Sequence, residues 1–162
     1  MNPVIRAVYD CVVFVQGAGR VGNAARACLD LVDSGDVELC LSPDTFAEIN
    51  EVLHRPELVN KFPSITSQAS LVLLRAVRNK SLYVPRVPSF FRLPRDPDDE
   101  PYINLAVAAQ ANFLVTWNDR HLTYLMRQDT PAGMDFVTRF PDLKIVDPPS
   151  FLREVRSILA QQ

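Results

Sequence analysis

No stretch of this 162-residue chain reaches the roughly 18 consecutive apolar residues that a membrane-spanning helix needs. The opening Met1-Asn2-Pro3-Val4-Ile5-Arg6 is too polar and too short for a secretory signal. A cytoplasmic protein that does not enter the membrane is expected. Cysteine is scarce. Cys11, Cys28 and Cys40 form an odd set without paired spacing, each inside an apolar stretch. That argues against a disulfide framework or a zinc site and predicts reduced core thiols. Basic charge is not in excess either: 17 Lys and Arg face 19 Asp and Glu, for a net charge of −2. That argues against a polybasic nucleic-acid binder, whose affinity comes mainly from neutralising phosphates. A protein that reaches phosphates through bound metal ions is not excluded. The sequence has no internal repeat and no low-complexity tract.

What is present is enough apolar residue, 48%, to bury a core in a single domain spanning residues 1–162. Five short apolar runs predict strands: Ile5–Tyr9, extending toward Val15; Val37–Leu41; Ser81–Val84; Phe113–Thr116; and Lys144–Val146. They show little alternation, as strands covered on both faces do. Helical patterns lie between and after them. Arg20–Val32 and Thr66–Val77 carry apolar stripes at helical spacing. Pro43–Leu53 is preceded by Ser42 as a candidate N-cap, and Pro101–Gln110 and Ser150–Ala160 open on a proline or a capping residue. The expected fold class is α/β, a three-layer α/β/α sandwich with a central parallel sheet of about five strands. One long connection, Pro85–Pro101, holds five prolines, the pair Phe90-Phe91 and a dense acidic cluster. Its length suggests a function.

Gly17-Ala18-Gly19-Arg20-Val21-Gly22 matches G-x-G-x-x-G after the apolar run Val12–Val15 and before a helical pattern. In a dinucleotide-binding fold such glycines let the backbone approach a pyrophosphate. The acid that should close the second strand is missing, because Val37–Leu41 runs into Ser42-Pro43. A ligand-free strand-to-helix loop is the competing reading.

Ligands of parallel α/β sheets gather beyond the carboxyl ends of the strands. Asp10 ends the first apolar run, and Glu48 lies in the helix after the second. Asp96, Asp98, Asp99 and Glu100 precede the helix leading to the fourth strand; Asn118 and Asp119 follow that strand. Carboxylates brought together repel one another, and a divalent cation removes the conflict. Mg²⁺ and Mn²⁺ accept such hard oxygen ligands and can activate water for phosphodiester hydrolysis. Taken singly, Asp10 also reads as a turn residue, Glu48 as a solvated helix charge and the acidic loop as helix N-terminal charge.

The set and its order resemble the PIN-domain nuclease family, in particular the group regarded as toxin components of prokaryotic toxin–antitoxin systems. The matching blocks are the strand Arg6-Ala7-Val8-Tyr9-Asp10, and Ser42 followed by Glu48 and Val52-Leu53-His54-Arg55-Pro56. Next come Arg95-Asp96-Pro97-Asp98-Asp99 before the alanine-rich Leu105–Ala109, and then Leu114-Val115-Thr116-Trp117-Asn118-Asp119. The likeness runs from about Ile5 to Leu159. It implies that Asp10, Glu48 and Asp99 are catalytic metal-site acids, with Asp96 and Asp119 as further candidate ligands. Asn118 fills the position where many relatives carry Asp, and it is included as a catalytic and metal-site residue. Val12 stands where the family usually has a small polar residue.

The implied activity is metal-dependent hydrolysis of single-stranded RNA with Mg²⁺ or Mn²⁺. An antitoxin protein and a second copy of the chain, forming a homodimer, are the implied partners. Arg95, Arg120 and His121 flank the acids and are expected to meet substrate phosphates; solvated surface charge is their plain alternative. His54 and Arg55 read as helix C-terminal charges. Trp117 is a candidate for base stacking or for packing. Phe90-Phe91 is either a partner-binding patch or a local cover over the core. The competing functions are a weakened PIN-like domain that binds RNA or protein, and a dinucleotide binder using Gly17, Gly19 and Gly22.

Overall fold

The computed structural model describes residues 3–162. Five strands form one all-parallel sheet: β1 (Arg6–Tyr9), β2 (Glu38–Leu41), β3 (Leu82–Tyr83), β4 (Phe113–Val115) and β5 (Lys144–Val146). Their order is β3-β2-β1-β4-β5. The chain builds outward from β1 to β3, then returns to the other side of β1. The carboxyl ends of β1 and β4 therefore flank the point where the winding reverses, which is where such sheets open a crevice.

Alternate strand residues feed two separate cores. Ala7, Tyr9, Leu39, Leu41, Phe113 and Val115 pack on one face. They meet helices α1 (Cys11–Gly19), α2 (Ala24–Ser34), α3 (Pro43–Leu53), α5 (Ser67–Asn79) and α8 (Pro148–Ala160). Val8, Cys40, Leu114 and Ile145 pack on the other face, against α6 (Glu100–Ala108), a 3₁₀ turn at Thr123–Met126 and α7 (Pro131–Arg139). The short α4 (Pro56–Lys61) follows α3. The architecture is the three-layer α/β/α sandwich that the succession of strands and helices predicts. No helix among the described residues is long and apolar enough to cross a membrane. Cys28 and Cys40 are buried, Cys11 is half-buried, and all three are free thiols that burial pushes up to about 12.

Three expectations for residues 11–23 are overturned. Cys11–Val15 does not extend β1, and the glycine motif is not a strand-to-helix loop. Asp10 caps a helix there: its carboxylate accepts from the Val13 amide at 3.2 Å. Gly17 and Gly19 lie within that helix. A Cβ on Gly17 would come within 2.6 Å of Leu29 Cδ1, and one on Gly19 within 2.8 Å of Phe62. These glycines let α1 seat closely on α2 and on the segment after α4, so they are packing residues with no exposed cradle for a pyrophosphate. The expected helix from Arg20 begins at Ala24 instead. Gly22, at φ +81°, turns the chain, and Asn23 caps the new helix by accepting from the Arg26 amide at 2.8 Å.

The long proline-rich connection runs as an extended strap along α6. The buried Asn104 clamps it: its amide oxygen accepts from the Phe90 and Phe91 amides, both at 2.8 Å. Its Nδ2 donates to the Phe91 carbonyl at 3.1 Å. Phe91 is buried edge-on against Phe136, at 5.3 Å between ring centres, and so covers the core. Phe90 is 40% exposed.

Candidate metal centre

The sheet's carboxyl edge gathers acids from three separate segments. Asp10 leaves β1 and starts α1, a placement fixed by two backbone bonds. Its own amide donates to the Val115 carbonyl at 3.1 Å, and its carbonyl accepts from the Val13 amide at 3.2 Å. Its side chain is 5% exposed. The Thr116 hydroxyl, just beyond β4, donates to Asp10 Oδ2. Burial pushes the Asp10 carboxyl up to about 6, and Glu48's negative charge adds to the rise against the pull of these hydrogen bonds.

Glu48 comes from the middle of α3. That helix starts sharply because Ser42 and Thr45 form a reciprocal capping box with Pro43 in the first turn. The carboxylate of Glu48 accepts a hydrogen bond from the Tyr102 hydroxyl of α6. Tyr102 is almost fully buried and its proton is held well above the usual phenol range, first by burial. It therefore serves Glu48 as a fixed donor.

Asp96 and Asp99 bracket a 3₁₀ turn at Pro97–Asp99, closed by the Asp99 amide donating to the Asp96 carbonyl at 3.1 Å. Burial, and then the neighbouring charges of Asp96 and Asp10, push the Asp99 carboxyl up to about 7. Asn118 opposes that rise, its Nδ2 donating to Asp99 Oδ2 at 2.7 Å. The Asn118 amide oxygen accepts from the His121 backbone N–H at 3.1 Å, so both ends of the side chain are engaged. His121 Nδ1 in turn meets Asp96 Oδ2 at 2.8 Å. One donor atom each from Asp96, Asp99 and His121 falls within a span of 4.8 Å, compact enough to hold a metal ion.

Not every expected residue joins this group. Asp119 is exposed and accepts from the Thr123 hydroxyl at 2.6 Å, which ties it to its own turn. Asp98 is exposed, and Glu100 is spent on the strap, accepting from the Leu93 amide at 2.7 Å. Arg95 stacks on the Tyr124 ring at 4.4 Å, while Arg120 is exposed and has no ion-pair partner among the described residues. Val12 and Trp117 are each 41% exposed, one on α1 and one beside Asn118. His54 contacts the Asn50 carbonyl at 2.7 Å and Arg55 pairs with Glu51 at 2.7 Å, as helix-end charges do.

Sequence reasoning left out the residues that hold the acids in place. Thr116 sits inside the Leu-Val-Thr block and was readable as part of it. Tyr102 lies in an apolar helical pattern that gives no sign of its hydroxyl.

The donor set suits a hard divalent cation. Asp10 and Asp99 both retain protons to unusually high pH, and the carboxyls of Asp96 and Asp99 lie within hydrogen-bonding reach of one another. Two carboxylates in such contact need a shared proton or a cation between them. A divalent ion supplies the positive charge that these protons otherwise provide.

No match is found among curated proteins. The family profile described as the PIN domain matches residues 6–120, a span that takes in Asp10, Glu48, Asp96, Asp99 and Asn118. PIN domains are generally nucleases needing a divalent metal, and on this match, with the fold and acidic edge above, the chain belongs to the PIN-domain family.

Proposed function

We propose that this chain, as one PIN unit over residues 1–162, is a metal-dependent endoribonuclease cleaving single-stranded RNA, and the toxin of a toxin–antitoxin pair. The observation that carries the nuclease reading is the convergence of Asp10, Glu48, Asp96 and Asp99, with the proton affinities of Asp10 and Asp99 raised. Those four acids would hold Mg²⁺ or Mn²⁺. When bound, the ion supplies a water of lowered pKa and stabilises charge building on the attacked phosphate.

The chain's own residues account for the rest. Thr116 and the Val13 amide fix the direction of the Asp10 carboxylate, and Tyr102 does the same for Glu48. Asn118 holds Asp99 and carries no charge of its own. Arg120 and Arg95 stand beside the acids as phosphate contacts, and exposed Trp117 offers a face to an unpaired base.

Cleavage of a labelled single-stranded RNA, beside matched duplex RNA and single-stranded DNA, tests the substrate class. It should require Mn²⁺ or Mg²⁺, cease with EDTA, and fail in Asp10→Asn and Asp99→Asn. Unchanged cleavage in both variants would sink the reading. Growth arrest on expression, relieved by co-expressing a small neighbouring reading frame, tests the toxin role. Size measurement in solution, with and without that partner, tests the homodimer. A second reading, a weakened PIN domain that binds RNA without cutting it, is favoured by the neutral, fully engaged Asn118 and by apolar Val12. Metal-dependent RNA binding with no cleavage is its signature.

A further inference from the structure

We propose that His121 is a direct ligand of the divalent ion through Nδ1. The centre would then be a mixed nitrogen and oxygen site that prefers Mn²⁺ to Mg²⁺. The idea rests on the metal-dependent reading above but not on RNA being the substrate. His121 lies just past the end of the stretch that matches the family, which stops at residue 120.

Geometry carries the argument. His121 Nδ1 and Asp96 Oδ2 are 2.8 Å apart. Two adjacent ligands of a six-coordinate ion with bonds of about 2.1 Å stand about 3.0 Å from each other. The pair is therefore already spaced as one edge of a coordination shell. An Asp99 oxygen falls within the same 4.8 Å group, so one ion can reach all three with little movement.

The backbone that carries the ring is also held independently of Asp96. The His121 backbone N–H donates to Asn118 Oδ1, and Asn118 Nδ2 donates to Asp99. The Asn118 and Leu122 backbones close the same turn, at 3.0 Å. Asn118 thus links the His121 backbone and the Asp99 carboxylate through one side-chain amide.

The donor chemistry then decides the ion. Imidazole nitrogen suits first-row transition ions, whereas Mg²⁺ strongly prefers oxygen and keeps its waters. Carboxylates bind both. A site lacking His121 would discriminate weakly, so the imidazole is the specificity-determining group. The competing account makes His121 only a counter-charge to Asp96, with no bond to metal.

Pulsed electron paramagnetic resonance of Mn²⁺ bound to the wild-type protein separates the two, because a directly bonded imidazole imprints ¹⁴N modulation on the Mn²⁺ signal. Calorimetric titration of Mn²⁺ and Mg²⁺ into wild type, His121→Ala and the milder His121→Gln supplies affinities. The expected result is ¹⁴N modulation in wild type that is lost in both variants. Mn²⁺ affinity should fall about 10- to 100-fold, the scale on which ligand-shell changes act, with Mg²⁺ affinity moving far less. Mn²⁺ bound without ¹⁴N coupling overturns the proposal, as do equal losses for the two ions. The wild-type spectrum decides the matter even where a variant folds poorly. A nitrogen-coupled Mn²⁺ in a protein that cuts no RNA upholds this site while overturning the ribonuclease reading. A wild-type protein that binds no divalent ion overturns both.

Discussion

Asn118 donates its side-chain amide to Asp99 at 2.7 Å, from the turn that follows β4. The amide lowers the cost of Asp99's charge without adding another, so this centre is held together before any ion arrives. Asn118→Asp should reverse that balance. It removes the donor and sets a like charge against Asp99. The metal-free variant should melt lower than wild type, while its divalent-ion affinity rises by about tenfold, since affinity follows the ligands' charge count. Thermal melts with EDTA and calorimetry with Mn²⁺ check both parts. A variant that melts higher without metal would mean that Asn118 is not relieving Asp99.

Asp10 makes the opposite case. It is buried and charged, and burial is the main reason its carboxyl is pushed up to about 6. Asp10→Asn keeps the shape and can still accept from the Val13 amide and pair with the Thr116 hydroxyl. At pH 7 without metal it should be more stable than wild type by about 1 kcal/mol, or about 2–4 °C for a chain of this size. The same change should cut cleavage by about 10²-fold or more, as loss of one preorganised charge does. A gain in melting temperature together with a loss of turnover marks an acid kept for function. Loss of both would mark a structural role.

The two raised carboxyls also set a direction for pH. In the unfolded chain both groups titrate near 4; in the fold they are pushed up to about 6 for Asp10 and about 7 for Asp99. The folded state therefore holds protons that the unfolded state has released. Stability is fully present below about pH 4 and is lost as pH rises through about 6 to 7. Asp10 alone contributes about 3 kcal/mol of this, as an order of magnitude. For these two groups, the metal-free melting temperature should fall between about pH 5 and pH 7.5. Saturating Mn²⁺ should flatten the curve, with protons released on binding. A metal-free midpoint that climbs over that interval would contradict the packing around Asp10 and Asp99.

Thr116 links two parts of the site: its hydroxyl donates to Asp10 and accepts from the Asn118 backbone N–H at 3.0 Å. Thr116→Val preserves volume and removes both bonds. Metal affinity should drop about 10- to 100-fold, the usual effect of losing a partner that orients a ligand, while circular dichroism stays unchanged. Unaltered Mn²⁺ affinity would show that Asp10 is aimed by its helix cap alone.

How legible each part was follows from what encodes it. Lys144–Val146 and Pro43–Leu53 match the sequence reading residue for residue, one as a short β-rich run and the other through its Ser-Pro start. Cys11–Val15 misled because a buried helix and a buried strand give the same unbroken apolar run. The deciding fact is the capping bond from Asp10, visible only once the chain is folded. The strand-end rule gathers Asp10, Glu48, the acids of 96–100 and Asn118-Asp119 alike; singling out Asp10, Glu48 and Asp99 among them rests on the resemblance to the PIN-domain family. Neither points to Tyr102 or Asn104, since a hydroxyl or amide buried in an apolar helix leaves no periodic trace. In sequence His121 reads as a phosphate contact, because its distance to Asp96 is a property of two loops meeting, not of either loop's sequence.

The glycines give the clearest division between a binding motif and a packing one. If Gly17 and Gly19 cradled a pyrophosphate, replacing them would abolish dinucleotide binding and leave the fold intact. In this fold a Cβ on Gly17 meets Leu29 Cδ1 at 2.6 Å and the Ala25 carbonyl at 3.2 Å. The Leu29 tip can rotate away, but the carbonyl belongs to the α2 backbone and cannot. Alanine gains about 1 kcal/mol over glycine in helix propensity, against about 1–3 kcal/mol for overpacking. Gly17→Ala should therefore lower stability by about 1 kcal/mol on balance. Its Mn²⁺ affinity should be unchanged, because Gly17 lies two helical turns from Asp10. Titrating NAD into the wild-type protein should give no binding heat. Measurable NAD binding that Gly17→Ala removes would restore the nucleotide reading; a lower melting point with intact Mn²⁺ binding places Gly17 in the seam between α1 and α2.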